Sequence, residues 1–206
     1  MAVKAKTNTR AEIAAKKQSY VQDEIVGAAA RLFAERGYRA VTIDDIAVSI
    51  GYTKSVIYYY FDSKNEILWQ IFLRIYESYF RAVESIRDQG LAPELALAQV
   101  IKRHAMNVMG KREWTAIYFR EESELDESQR RQIARKKRQY DAVIEEIYDA
   151  GVAAGVFRQM PAHIAVSGIL GMCNWLYVWY KEEGAFSAVQ IADHYASLLS
   201  EGYSTK

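Results

Sequence analysis

Along the chain, apolar residues recur at intervals of three and four, the spacing that gathers one face of an α-helix. Val21, Ile25, Ala28, Leu32 and Phe33 form one such stripe and predict a helix over 19–36, with Gly37 placed to end it. Thr42-Ile-Asp-Asp45 has the form of a capping box and opens a short helix over 43–50 that Gly51 closes. Thr53 is positioned to cap a second short helix through Phe61. Ser63-Lys-Asn-Glu66 repeats the box and opens a long helix to Arg87, striped by Ile67, Ile71, Ile75, Tyr79, Val83 and Ile86. The loop GLAP (90–93) closes this block. Helices over 93–109, 112–122, 126–154, 161–183 and 187–203 follow, punctuated by Gly110, Gly151, Gly155, Pro161 and Gly184. Hairpin punctuation is missing and the chain holds only two prolines, so the expected fold class is all-α.

One stretch breaks the one-sided pattern. Residues 162–180, AHIAVSGILGMCNWLYVWY, are apolar on every side and carry no formal charge apart from a protonatable His163. Such a helix is either buried all round or inserted in a bilayer, which this length would just span. His163, Ser167 and Asn174 interrupt it, and the amphipathic segment 187–203 has no role in a single-span protein. Burial between a pocket on one side and a partner subunit on the other is therefore expected, with Gly168 and Gly171 permitting close approach, and no membrane association.

Composition narrows the function classes. The chain is 50% hydrophobic and 26% charged, ordinary for a folded soluble domain. A single cysteine, Cys173, excludes an internal disulfide and suits a reducing, cytoplasmic setting. The start, MAVKAKTNTRAEIAAKKQ, lacks the apolar core of a secretory leader. Three scattered histidines and one cysteine assemble no metal site, and no nucleophile triad, nucleotide loop or spaced carboxylate pair stands out, so neither enzymatic activity nor a cofactor is expected. Net charge is only +1, but residues 1–64 carry ten Lys/Arg against seven Asp/Glu. Residues 1–18 are expected to be a disordered basic arm, either phosphate-seeking or merely solubilising.

The segment TKSVIYYYF (53–61) carries the most specific chemistry. At 100° per residue, Ile57, Tyr58 and Phe61 share one side and are expected to anchor the core. Ser55, Val56 and Tyr59 oppose them, flanked by Lys54 and Tyr60. A small, apolar and phenolic face makes a poor solvated surface but fits a DNA groove: Val56 suits a thymine methyl, and tyrosine hydroxyls reach phosphate oxygens. Two short helices about a Gly51 turn, with the small Ala47 at their crossing, form a helix-turn-helix whose second helix enters the major groove.

The run LFAERGYRAVTIDDIAVSIGYTKSVIYYYFDSKNEIL (32–68) resembles the DNA-binding domain of the TetR family of bacterial transcriptional repressors. The resemblance implies a homodimer on a double-stranded operator, with Thr42 and Lys64 gripping phosphates. It places Tyr58, Tyr59 and Tyr60 along the backbone and Lys54, Ser55 and Val56 at base edges, with Thr53 also among the DNA-binding residues. Tyr60 stands where the family often has histidine. The implied division is an arm (1–18), a three-helix DNA-binding domain (19–64) and a helical-bundle domain for ligand binding and dimerisation (65–206), the last two helices supplying the dimer interface.

In the second domain, Trp114, Tyr118 and Tyr140 are aromatics able to wall a cavity. His104 lies on the stripe Leu97, Val100, Ile101, His104, Ala105, Val108, either as a satisfied interior histidine or as a ligand contact. Arg130, Arg131, Arg135, Lys136, Lys137 and Arg138 form a basic run, either a solvated face or a mouth for ligand phosphates. FREESEL (119–125), AGVAAGVFR (150–158) and NWLYVWYKEEGAFSAVQIADHYA (174–196) resemble the TetR subgroup that responds to acyl-CoA thioesters. That resemblance adds Asn174, Trp175 and Trp179 as pocket candidates and an acyl-CoA thioester as effector. The alternatives are a sensor of cationic aromatic drugs, balanced by Glu121, Glu122 or Glu124, and a constitutive DNA-coating protein.

Overall fold

The computed structural model describes residues 2–203, and no strand occurs among them. Helix α1 spans Ala2–Arg36, α2 Ile43–Ser49, α3 Lys54–Tyr60 and α4 Lys64–Arg87. They are followed by α5 (Pro93–Gly110), α6 (Arg112–Arg120), a single 3₁₀ turn (Glu122–Glu124) and α7 (Glu127–Ala153). The chain ends with α8 (Ala162–Asn174), α9 (Leu176–Trp179) and α10 (Ala188–Tyr203).

The expected punctuation operates locally. Gly37 takes φ 80° and its N–H donates to the Phe33 carbonyl at 2.9 Å, ending α1. Gly51 takes φ 72°, and the Tyr52 N–H reaches back to the Ala47 carbonyl at 2.9 Å, closing the turn between α2 and α3. Both capping interactions of the Thr42–Asp45 box form. At Ser63 only half of the second box is made: Ser63 caps α4, while Glu66 accepts from the Asp62 N–H instead.

Two boundaries depart from the sequence expectation. Helix α1 begins at Ala2, so residues 2–18 are helical rather than a disordered arm. The segment holds no Pro or Gly and is rich in Ala and Lys, both strong helix formers. The apolar stretch 162–180 is two helices, not one, and is not buried all round. Ala165, Val166, Ile169, Cys173 and Leu176 are buried, while Ile164, Trp175, Val178 and Trp179 are exposed, Trp175 at 61%. Gly168 and Gly171 are exposed on that same side, so their close approach is not to another helix of this chain.

The core joins the two halves. One buried cluster runs from Ile25, Phe33 and Ile57 through Ile67, Ile71 and Ile75 of α4 to Ile117, Leu125 and Ile133 of the C-terminal half. A second surrounds Val100, Ile101, Ile144, Tyr148 and Ile169. Helix α4 contributes to both, through Val83 and Ile86 in the second. It is thus the shared beam of the molecule.

Candidate DNA-binding face and ligand cavity

Helix α3 settles which tyrosines are anchors. Ile57 and Phe61 are buried, but Tyr58 is 48% exposed and Tyr59 77%, so Tyr58 does not join the core as expected. Only Tyr60 packs partly on the first cluster, meeting Tyr59 edge to face at 4.9 Å between ring centres. The outward face therefore carries Lys54, Ser55, Tyr58 and Tyr59, with Val56 half-buried beside them. The Thr53 hydroxyl makes no capping bond, although Thr53 is the N-cap residue. That leaves its O–H and the N-terminal N–H groups of α3 open to an anion.

Two expected phosphate ligands are otherwise engaged. Thr42 donates both its N–H (2.8 Å) and its hydroxyl (2.6 Å) to the Asp45 carboxylate. Lys64 Nζ donates to the Tyr38 carbonyl at 2.8 Å and the Val41 carbonyl at 2.7 Å and lies over the Tyr38 ring. Burial lowers its pKa. Two of the three Lys64 N–H donors thus hold the α1–α2 loop on the start of α4, leaving one for a phosphate. Lys54 pairs with Asp44 at 2.9 Å across the two short helices, and both side chains are well exposed. Such a pair holds little energy and is readily traded for a phosphate.

In the C-terminal half, α4, α6, α7 and α8 enclose a cavity with about 580 Å³ of empty space including its mouth. Its walls are Ile75, Tyr76 and Tyr79 from α4, Thr115, Tyr118 and Phe119 from α6, Lys137, Tyr140 and Asp141 from α7, and Leu170 and Asn174 from α8, with His104 of α5 at its base. His104 Nε2 lies 2.8 Å from Asn174 Oδ1 and Nδ1 lies 2.7 Å from the Tyr140 hydroxyl. An amide oxygen only accepts, so Nε2 carries the proton and Nδ1 accepts from Tyr140. Burial holds His104 at a pKa of about 4, partly opposed by the Asn174 bond. The Tyr79 hydroxyl faces Thr115 Oγ1 at 3.4 Å, and desolvation pushes its pKa up to about 12. The cavity is thus aromatic and uncharged at its base, with the Asn174 amide N–H₂ remaining as a donor. Asp141 lines its side, its pKa raised by burial first and by Glu145 next.

Of the expected ligand residues, His104, Tyr118 and Asn174 meet here. Trp175 and Trp179 do not line the cavity: the break after Asn174 turns them outward. Trp114 lines a separate, open cleft. Tyr76, Tyr79, Thr115 and Phe119 were missed as cavity residues, although Tyr79 lies on the α4 stripe with Tyr76 one turn before it, and Thr115, Tyr118 and Phe119 recur at helical spacing. The basic run sends one residue, Lys137, to the cavity lining. Arg130 donates to the Leu125 carbonyl, Arg131 pairs with Glu127, and Lys136 and Lys137 lie over the Tyr76 and Tyr118 rings. Of the acidic turn, Glu122 pairs with the cavity residue Lys137 at 3.7 Å, while Glu121 and Glu124 face elsewhere. Glu121 accepts from the Tyr38 N–H at 3.3 Å, Glu124 pairs with Arg39 at 2.8 Å, and Asn65 donates to the Glu124 carbonyl at 2.9 Å. The turn therefore clamps the cavity wall at α6 onto the DNA-binding half. Among the described residues no grouping of His, Cys, Asp or Glu could hold a metal ion.

Comparison with known proteins agrees with this geometry. Residues 25–71 match the model for bacterial regulatory proteins of the tetR family, and residues 90–203 match that for the tetracyclin repressor-like C-terminal domain. The HTH-type transcriptional repressor KstR2 of Mycolicibacterium smegmatis is 27% identical over 183 residues, covering 88% of this chain and 89% of that protein. The fatty acid metabolism regulator protein of Bacillus subtilis is 25% identical over 194 residues, covering 93% of this chain and 98% of that one. The crystal structure of AibR in complex with isovaleryl coenzyme A and operator DNA superimposes with a TM-score of 0.78 at 25% identity, covering 86% of this chain and 96% of that one.

Proposed function

The chain belongs to the tetR family of bacterial regulatory proteins and is a transcriptional regulator rather than an enzyme, and we propose that it is a homodimeric repressor released from its operator by an acyl-CoA thioester. The observation that carries the effector class is the cavity, whose wall of Tyr76, Tyr79, Tyr118, Phe119 and Tyr140 suits an apolar acyl group. The free Asn174 N–H donor suits a thioester carbonyl. The likeness to AibR, solved with isovaleryl coenzyme A and operator DNA, supports the same reading.

This reading assigns each partner of the switch a place. Lys54, Ser55 and Val56 read base edges, while Thr53, Tyr58, Tyr59, Tyr60 and the one remaining Lys64 N–H approach the backbone, which Thr42 joins only by giving up its bonds to Asp45. A single recognition helix covers too few base pairs for a specific site, so two copies on matched half-sites are needed. The exposed stripe of Ile164, Gly168, Gly171, Trp175 and Trp179, with Val189 and Leu198 of α10, supplies a self-complementary apolar face. Ligand acts through α4 and the acidic turn, both of which touch the cavity wall and the DNA-binding half. It releases DNA only by favouring a conformer in which the two recognition helices mismatch successive grooves.

Asp141 inside an aromatic cavity favours a second reading, a sensor of hydrophobic cations. The test is release of fluorescent operator DNA, selected from random sequence by the protein itself, across acyl-CoA thioesters and cationic dyes. Release by thioesters is expected. Release by cations alone establishes the second reading, and indifferent binding to all DNA sequences would make the protein a DNA coat.

A further inference from the structure

A second, larger opening lies on the other side of α6 from the cavity, about 1870 Å³ of empty space open to solvent. Its lining brings together four cations, Arg74, Lys111, Arg112 and Arg120, against two acids, Glu113 and Glu182. Arg74 is committed to Asp23 at 2.8 Å, Lys111 donates to the Ser78 hydroxyl, and Arg112 spends Nε on the Tyr177 carbonyl. Arg120 is exposed and makes no ion pair among the described residues. The N-terminus of α6 has no side-chain cap and lies on the same wall, adding its unpaired N–H groups. Trp114 lies among these cations, with Tyr177 and Tyr180 near it.

Guanidinium groups, an uncapped helix start and a planar indole together fit a phosphorylated purine: the cations meet phosphates and the ring stacks on the base. The cleft and the aromatic cavity share α6 as their wall. Thr115, Tyr118 and Phe119 face one, and Arg112, Trp114 and Arg120 the other. Phe119 of the cavity and Tyr177 of the cleft stack at 5.4 Å with planes 14° apart, so this pair is the partition between them.

Resting on the acyl-CoA reading, we propose that the cleft holds the adenosine bisphosphate head of the effector, with Arg112 and Arg120 on its phosphates and Trp114 under its base. The acyl group occupies the aromatic cavity, and the narrow amide arm of the thioester crosses where Phe119 and Tyr177 meet. The assignment puts the phosphates in the cleft rather than on the basic run of α7, whose Lys136 and Lys137 lie over the Tyr76 and Tyr118 rings at the acyl cavity.

The experiment measures binding of octanoyl-CoA, S-octanoyl-pantetheine and adenosine 3′,5′-bisphosphate by calorimetry to the full-length wild type and to two double variants. These are Arg112→Glu with Arg120→Glu, and Arg135→Glu with Arg138→Glu, two exposed members of the basic run that do not line the cavity. The first pair is expected to weaken octanoyl-CoA and the bisphosphate at least tenfold while leaving the pantetheine thioester within threefold. The second pair is expected to change none of them more than threefold. Because Arg112 and Arg120 are exposed, loss of folding is not the expected result, and an unchanged pantetheine affinity confirms it. Octanoyl-CoA bound equally by wild type and the Arg112/Arg120 variant overturns the cleft assignment and leaves the acyl-CoA reading standing. A bisphosphate that binds without competing with octanoyl-CoA also overturns the shared-ligand assignment. Wild type that binds none of the three probes overturns both readings.

Discussion

Replacing His104 with Gln removes one titration from the molecule, and its size follows from the geometry. His104 is buried, donates to Asn174 at 2.8 Å and accepts from Tyr140 at 2.7 Å, and is held at a pKa of about 4. In the unfolded chain it titrates near an ordinary value of about 6.5. The folded value is the lower one, so on acidification the unfolded state takes up the proton first. The stability that neutral His104 preserves is complete above about pH 6.5 and is lost as pH falls towards 4. The loss is about 2 kcal/mol by pH 5 and about 3 kcal/mol by pH 4. Asp141, whose pKa is raised by burial, works in the opposite sense, but it is common to both proteins and cancels in the comparison. Gln offers a neutral donor and acceptor in place of the ring, so the variant is expected to cost roughly 1–3 kcal/mol at pH 7 and to have a flatter profile below pH 6.5. Urea unfolding of both proteins at half-unit steps from pH 7.5 to 4.5 measures the difference. Parallel profiles would refute a neutral, buried His104.

Other substitutions probe other parts of the structure. Lys64→Met leaves the Tyr38 and Val41 carbonyls without their donor, and denaturant melts should show a loss of about 1–3 kcal/mol; unchanged stability would return Lys64 wholly to a phosphate role. Gly151→Ala sets a Cβ 2.0 Å from Phe157 Cδ2, on a ring buried and stacked against Tyr148. Its expected cost in thermal melts is about 1–3 kcal/mol or more, and a neutral result would contradict this packing. Trp175→Arg with Trp179→Glu should turn a dimer into a monomer by sedimentation without unfolding it, because both rings are exposed in the single chain.

The fold was largely legible in the sequence because caps and punctuation are local chemistry. Gly37, Thr42 with Asp45, Gly51 and Ser63 place four helix ends within a residue or two of those observed. Positions whose meaning depends on which neighbour they face were harder. At 100° per residue Tyr58 sits beside Ile57, yet α3 is only two turns long and its one buried side is filled by Ile57 and Phe61. In 162–180 every face is apolar, so periodicity could not tell the inward residues from Trp175 and Trp179. The break after Asn174, which turns them outward, has no Pro or Gly to announce it. Lys64 and Thr42 show a different limit: the family resemblance implied phosphate contacts, but the partners that engage them come from a loop and a carboxylate close in space.

The proposed switch requires that effector and operator bind the same molecule with opposing preferences. The most direct test is the operator dissociation constant of the dimer, by fluorescence anisotropy, without and with a saturating acyl-CoA thioester at fixed salt. A coupling of about 1–3 kcal/mol is typical, so operator affinity should fall about 5- to 150-fold, and thioester affinity should fall by the same factor when operator is saturating. A thioester that binds the cavity and leaves operator affinity unchanged would contradict the switch.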